Sequence, residues 1–184
     1  MDTSIMEGLT AAGLGGDRNA IRVARTTEAW LAAGAALRDR VIAVLDGAAA
    51  EVEVVGSSSV RGLLAKPIID LAVGLDAEQP LSVVTQRLEA DGWDYRGDAG
   101  SNGGHVFMLE ARPLFRLAHL HVVDHQGAEW RNYLRFRDLL RSSPDARRRY
   151  ESVKVELIER DHTNMRAYTS GKSDVVGSLL GELR

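Results

Sequence analysis

Residues with chemical capacity gather in a short stretch, GSSSVRGLLAKPIIDLAVGL, which runs from Gly56 to Leu75. It opens on a glycine and three serines and crosses a Lys-Pro step. It then enters an apolar run interrupted by a single aspartate, Asp70. Gly56, Ser57, Ser58 and Ser59 at a strand end offer backbone N–H groups and hydroxyls that can cradle phosphate oxygens. Asp70 on the next strand offers a carboxylate to a divalent cation bridging those phosphates. A tight turn needs the same residue types, so the turn gains meaning only from what surrounds it. A carboxylate in a strand that otherwise reads as buried requires a metal, a cation or hydrogen bonds close by.

Cations recur at one spacing. Arg137 stands four residues after Tyr133 and three before Leu140, so on a helix it shares their apolar stripe. Lys154 holds the same relation to Tyr150 and Leu157, and Lys172 to Tyr168 and Val175. Any one such side chain can snorkel outward; three together favour a shared anionic target, either Asp70 or phosphate groups. The segment RLAHLHVVD places His119 and His121 at i and i+2, on one face of a strand. His121 is then a metal ligand or a general base.

The positioning elements follow from pattern. Thr27 caps a helix that begins at Glu28 and stops at Gly47. EVEVV is a strand, KPIIDLAVGL a second, and Pro80 to Asp91 a helix. Two more strands cover His105 to Ala111 and Arg116 to Val123, with DAGSNGGH as the turn before the first. Three helices close the chain, from Ala128 to Arg141, Pro144 to Arg160 and Asn164 to Leu183. Residues 1–20 lack periodicity and read as a flexible leader, with 21–184 as one α+β domain: a mixed sheet flanked by helices, with a C-terminal helical subregion.

Composition narrows the classes. The 184 residues contain no cysteine, which removes disulfides and thiolate chemistry and suits a reducing cytoplasm. No apolar run is long enough to span a membrane. A net charge of −3 argues against a nucleic-acid-coating role. From Arg131 to Lys154 eight cations face three acids, but without interleaved exposed aromatics this stretch does not read as an RNA surface.

At these same residues the sequence resembles the GrpB family, also called UPF0157. The similarity lies in VEVVGSSSVRGLLAKPIIDLAVGL, RLAHLHVVD, LRFRDLLRSSPDARRRYESVK and AYTSGKSDVV, and covers roughly Ile21 to Leu183 with Trp30 in place. It departs at Arg61, where the family usually has proline, and at Ala118, where it usually has histidine. The resemblance implies the nucleotidyltransferase superfamily fold. By that analogy Gly56 and the serines meet a nucleoside triphosphate, most simply ATP. Asp70 with His121 holds Mg2+, and Lys66, Arg116, Arg137, Lys154 and Lys172 neutralise phosphate charge. Such sites usually carry a second acid two residues after the first and a third on a neighbouring strand; here those places hold Ala72 and the histidines. Two activities follow as expectations: nucleotide binding with transfer to a small-molecule acceptor or use in a ligation, or a non-catalytic binding or folding-support module. The second is favoured by a likeness between this family and a domain fused behind dephospho-coenzyme A kinases.

Overall fold

The computed structural model describes residues 2–100 and 103–182. In chain order the elements are α1 (Thr3–Ala11), β1 (Gly16–Asp17), β2 (Ala24–Arg25), α2 (Glu28–Leu45) and β3 (Glu51–Val55). A 3₁₀ turn at Ser57–Ser59 leads to β4 (Leu64–Ala65), β5 (Ile69–Leu75), α3 (Leu81–Ala90), β6 (Asp94–Asp98), β7 (His105–Arg112) and β8 (Phe115–Asp124). The last three helices are α4 (Ala128–Ser142), α5 (Pro144–Arg160) and α6 (Met165–Gly181).

The main sheet runs β3-β5-β8-β7-β6, with β1 added against the start of β8. Neighbours are antiparallel except for the central pair β5 and β8. In that parallel pair Asp70 lies opposite His119 and Ala72 opposite His121, so all four side chains share one face. The other face is apolar. Ile69, Leu71, Val73 and Leu120 pack there under Trp30, Leu37, Val41 and Leu45 of α2, with Val84 and Leu88 of α3. Burying this face supplies most of the driving force for the fold. α4 covers the Asp70 face through Trp130, Tyr133 and Leu134, which meet Val55, Ala72 and Val123. The helices α4, α5 and α6 share a smaller core around Val60, Leu63, Phe136, Leu140, Tyr150 and Leu179. The 3₁₀ turn is thereby pinned from above.

Two expectations are corrected. Residues 1–20 are not a loose leader: Asp2 caps α1, whose Leu9 is buried with Leu14 in the main core. With Gly8 and several alanines in the region, the amphipathic pattern is too faint to read, and packing against α2 decides the structure. The strand expected from Lys66 begins only at Ile69, as β5; β4 is a separate strand that ends at Ala65, and Pro67 between them has no N–H to give a ladder. The edge strand β6 was absent from the sequence reading; its DYRGD carries no apolar alternation and its Gly97 has φ 96°.

Candidate functional site

β3 delivers the chain to Gly56, whose φ of 68° and ψ of −169° lie in a region that essentially only glycine occupies. A Cβ there would stand 2.6 Å from Asp70 Oδ2, so the turn backbone and the carboxylate are in direct apposition. Ser58 and Ser59 are buried and serve the turn: Ser58 Oγ accepts from the Asp70 N–H at 3.4 Å, and Ser59 Oγ donates to the Gly56 carbonyl at 2.7 Å. Arg141 donates to the Ser59 carbonyl at 3.2 Å. Of the three serines only Ser57 is partly exposed, beside the Tyr150 hydroxyl.

Asp70 is not fully enclosed; its side chain is 26% exposed. Burial pushes its carboxyl up, but His119, then Lys172 and His121, more than reverse this, and it sits below the usual aspartate value. His119 Nδ1 lies 3.3 Å from Asp70 Oδ1. A carboxylate has no proton to give, so Nδ1 carries the hydrogen, and Nε2 is left buried with no partner. His121 Nδ1 lies 3.1 Å from the Gly103 carbonyl, which fixes the same tautomer. Its Nε2 makes no hydrogen bond among the described residues, and the residue is partly exposed. Desolvation, only partly opposed by Asp70, lowers the His121 pKa and favours the neutral ring.

The lysines converge on this point. Lys154 is 1% exposed, donates to the Leu64 carbonyl and lies 4.2 Å from the Tyr150 ring centroid. Burial pushes its amine down to about 7, with Lys172 adding repulsion. Lys66 lies 4.5 Å from the Tyr168 ring centroid and 2.9 Å from Met165 Sδ, and burial lowers it to about 8. Lys172 is half-buried, and the nearby Tyr150, Asp70 and Tyr168 raise its pKa against the pull of burial. All three lysines feel the charge of Asp70.

Two expected cations lie elsewhere. Arg137 is turned to the edge strand, donating to Glu53 at 2.7 Å and to Asp138 at 2.8 Å. Glu53 shares the Asp70 face two residues before Val55, so it intercepts the guanidinium before the turn. Arg116 is near enough to Lys66 to lower its pKa, but its Nε lies 3.6 Å from Glu110. Burial and the charge of Arg18 lower its own pKa.

Sequence reasoning missed Gly103 and Tyr133. Gly103 has φ 145°, and a Cβ there would stand 2.9 Å from His121 Nδ1 and 3.3 Å from the Tyr133 hydroxyl. The Gly-Gly pair at 103–104 was legible as a turn, but nothing in its spacing pointed to His121. The pairs Tyr150/Lys154 and Tyr168/Lys172, each at i and i+4, were the signal for the tyrosine shell.

The donor set suits a hard cation only through Asp70. Among the described residues no cluster of three His, Asp or Glu could hold a metal. Mg2+ takes oxygen ligands, one or two carboxylates with phosphates and water, so the imidazoles are poor partners for it. Ala72 is fully buried beneath Trp130 and Tyr133, so the place of a second acid is filled by packing.

The model of the family described as GrpB protein matches residues 20–182. The Glutamate-rich protein GrpB of Alkalihalophilus pseudofirmus is 31% identical over 136 residues, 72% of this chain and 78% of that protein. A UPF0157 protein of Streptomyces coelicolor is 37% identical over 139 residues, 76% of this chain and 71% of that protein. Among solved structures, GrpB from Enterococcus faecalis superposes with a TM-score of 0.74 at 24% identity, covering 88% of this chain and 99% of that one. The Cid1 poly(U) polymerase with magnesium 3′-dATP bound superposes with a TM-score of 0.54 at 15% identity, covering 91% of this chain and 52% of that one, which shows the fold alone. The chain therefore belongs to the GrpB family and has a nucleotidyltransferase-like fold.

Proposed function

We propose that this protein binds a nucleoside triphosphate, ATP being the simplest candidate, at the Gly56 turn, with one divalent ion held between Asp70 and the phosphates. The observation that carries the reading is the apposition of Gly56 and Asp70, closed to any side chain at position 56. A turn that admits only backbone beside a carboxylate suits a ligand whose oxygens take both N–H donors and a shared cation. Lys66 and Lys172, with Lys154 behind them, supply positive charge in excess of the one carboxylate. Phosphoryl and nucleotidyl transfer depend mainly on such positioning and charge neutralisation, so the same site supports transfer to a small-molecule acceptor. The ion, when bound, would polarise the phosphate oxygens.

A second reading, binding without transfer, is favoured by the apolar cover over Ala72. Calorimetry with Mg-ATP tests the binding. The expected result is a saturable heat that chelation of the metal weakens at least tenfold. A folded protein giving neither heat nor thermal shift at millimolar Mg-ATP would overturn the nucleotide reading in favour of a support module.

A further inference from the structure

We infer that His121 is the base that takes the proton of the acceptor, and that Gly103 and Tyr133 are the residues that position it. The inference rests on the nucleotide reading above and adds the acceptor side of the site. The two histidines occupy equivalent places, i and i+2 on one face, yet their second nitrogens differ. His119 gives its Nδ1–H to Asp70 at 3.3 Å and its Nε2 is sealed in the protein, out of reach of any acceptor. His121 gives its Nδ1–H to the Gly103 carbonyl at 3.1 Å, and its Nε2, on a partly exposed residue, is hydrogen-bonded by nothing among the described residues. A carbonyl can only accept, so this tautomer is dictated by its partner.

Three features hold the ring. The Tyr133 ring packs on it at 5.3 Å between centroids. Gly103 approaches so closely that any side chain there would strike the imidazole. Across the parallel register His121 faces Ala72, where α4 leaves no room for a second carboxylate. The site thus has one acid beside the Gly56 turn and, on the same face, an imidazole whose Nδ1 is committed to a carbonyl. In the step assigned here the acceptor oxygen bonds to the α-phosphorus while its proton passes to His121 Nε2. The bond from α-phosphorus to the bridging oxygen breaks, and pyrophosphate leaves toward Lys66 and Lys172. An imidazole base removes the need for a second metal to activate the acceptor.

Water serves as the probe acceptor, converting ATP to AMP and pyrophosphate. His121→Ala should keep Mg-ATP affinity within about twofold of the parent by calorimetry. It should lose roughly a hundredfold or more in AMP formation, and recover at least tenfold when imidazole is added. His121→Gln, which refills the space, should be as slow and unresponsive to imidazole. Undiminished AMP formation in either variant overturns the assignment, as does weakened Mg-ATP affinity or a failure of imidazole to rescue His121→Ala. A parent that binds Mg-ATP but forms no AMP also overturns it while leaving the binding site standing. A parent that does not bind Mg-ATP overturns the nucleotide reading itself.

Discussion

Replacing Asp70 by Asn keeps the shape of the side chain and removes its charge. The aspartate is 26% exposed and pairs with His119 at 3.3 Å, with Lys172 and His121 as further charged or polar neighbours. An exposed pair contributes roughly 0.2–1 kcal/mol, whereas breaking a fully buried pair costs about 3–5 kcal/mol. Asp70 lies nearer the first case, and half-buried Lys172 can turn to water when its partner is gone. The expected loss is about 1–2 kcal/mol, which for a chain of this size lowers Tm by roughly 2–8 °C. The pH dependence has a defined sign. Asp70 binds its proton less readily in the folded protein than at the ordinary value of 3.8. Its contribution is therefore complete above that value and fades as pH falls through the lower folded value. The stability gap between parent and Asp70→Asn should be constant near neutrality and close in acid. In scanning calorimetry with and without Mg-ATP, the variant should melt within that range and lose the magnesium-dependent stabilisation by nucleotide. A fall of more than about 10 °C without ligand, or retained magnesium-dependent stabilisation, would refute the assignment of Asp70 to a ligand site.

Lys154→Met removes a buried amine whose pKa lies near 7 rather than 10.5. The charging penalty is full below about 7 and is relieved as pH rises toward 10.5, so urea unfolding at pH 7 and 9.5 should show the parent gaining on the variant. At pH 7 the variant should be at least as stable as the parent, because it sheds the charging penalty and loses only the hydrogen bond to the Leu64 carbonyl. Gly56→Ala should cost on the order of 1–3 kcal/mol and weaken Mg-ATP binding at least tenfold, because its Cβ and Asp70 Oδ2 would compete for one space. Retained affinity would place the nucleotide elsewhere. Arg137→Met breaks the 2.7 Å pair with Glu53 and should lower Tm by a few degrees with Mg-ATP affinity unchanged, measured by melting and calorimetry on the same sample.

Local chemistry made much of this molecule readable. The cap at Thr27 and the Pro144 start gave α2 and α5, as observed. The apolar runs gave the central strands, including the one that carries Asp70. What sequence could not give was partner choice across the fold. The stripe rule placed Arg137 toward the packed side, which is correct, but Glu53 on a neighbouring element decides where its guanidinium ends. Strand alternation put both histidines on one face, and the choice of His121 over His119 had no physical ground in the sequence, since their difference lies in one carbonyl from a loop and one carboxylate from a strand. The three serines looked equivalent as phosphate ligands; burial assigns two of them to the turn itself. α1 escaped notice because its stabilisation is tertiary, through Leu9 in a core that α2 and the sheet create.

The cover over Ala72 bears on what kind of chemistry this family member can support. Ala72 belongs to an apolar cluster with Val55, Val123 and Trp130, and Tyr133 and Leu134 close its edge. A carboxylate introduced there would lose its water and face the like charge of Glu53, its antiparallel partner, to which Arg137 is already committed. Such an unpaired charge would protonate or unfold its surroundings before it held a metal. The missing second acid is thus a consequence of how α4 seats on the sheet, and restoring it would require Trp130 and Tyr133 to move. Under the proposed nucleotide reading, this leaves Asp70 as the anionic ligand beside the Gly56 turn and makes the fate of the acceptor's proton the deciding question. His121, directly across the register from Ala72, is the group on this face whose geometry can answer it.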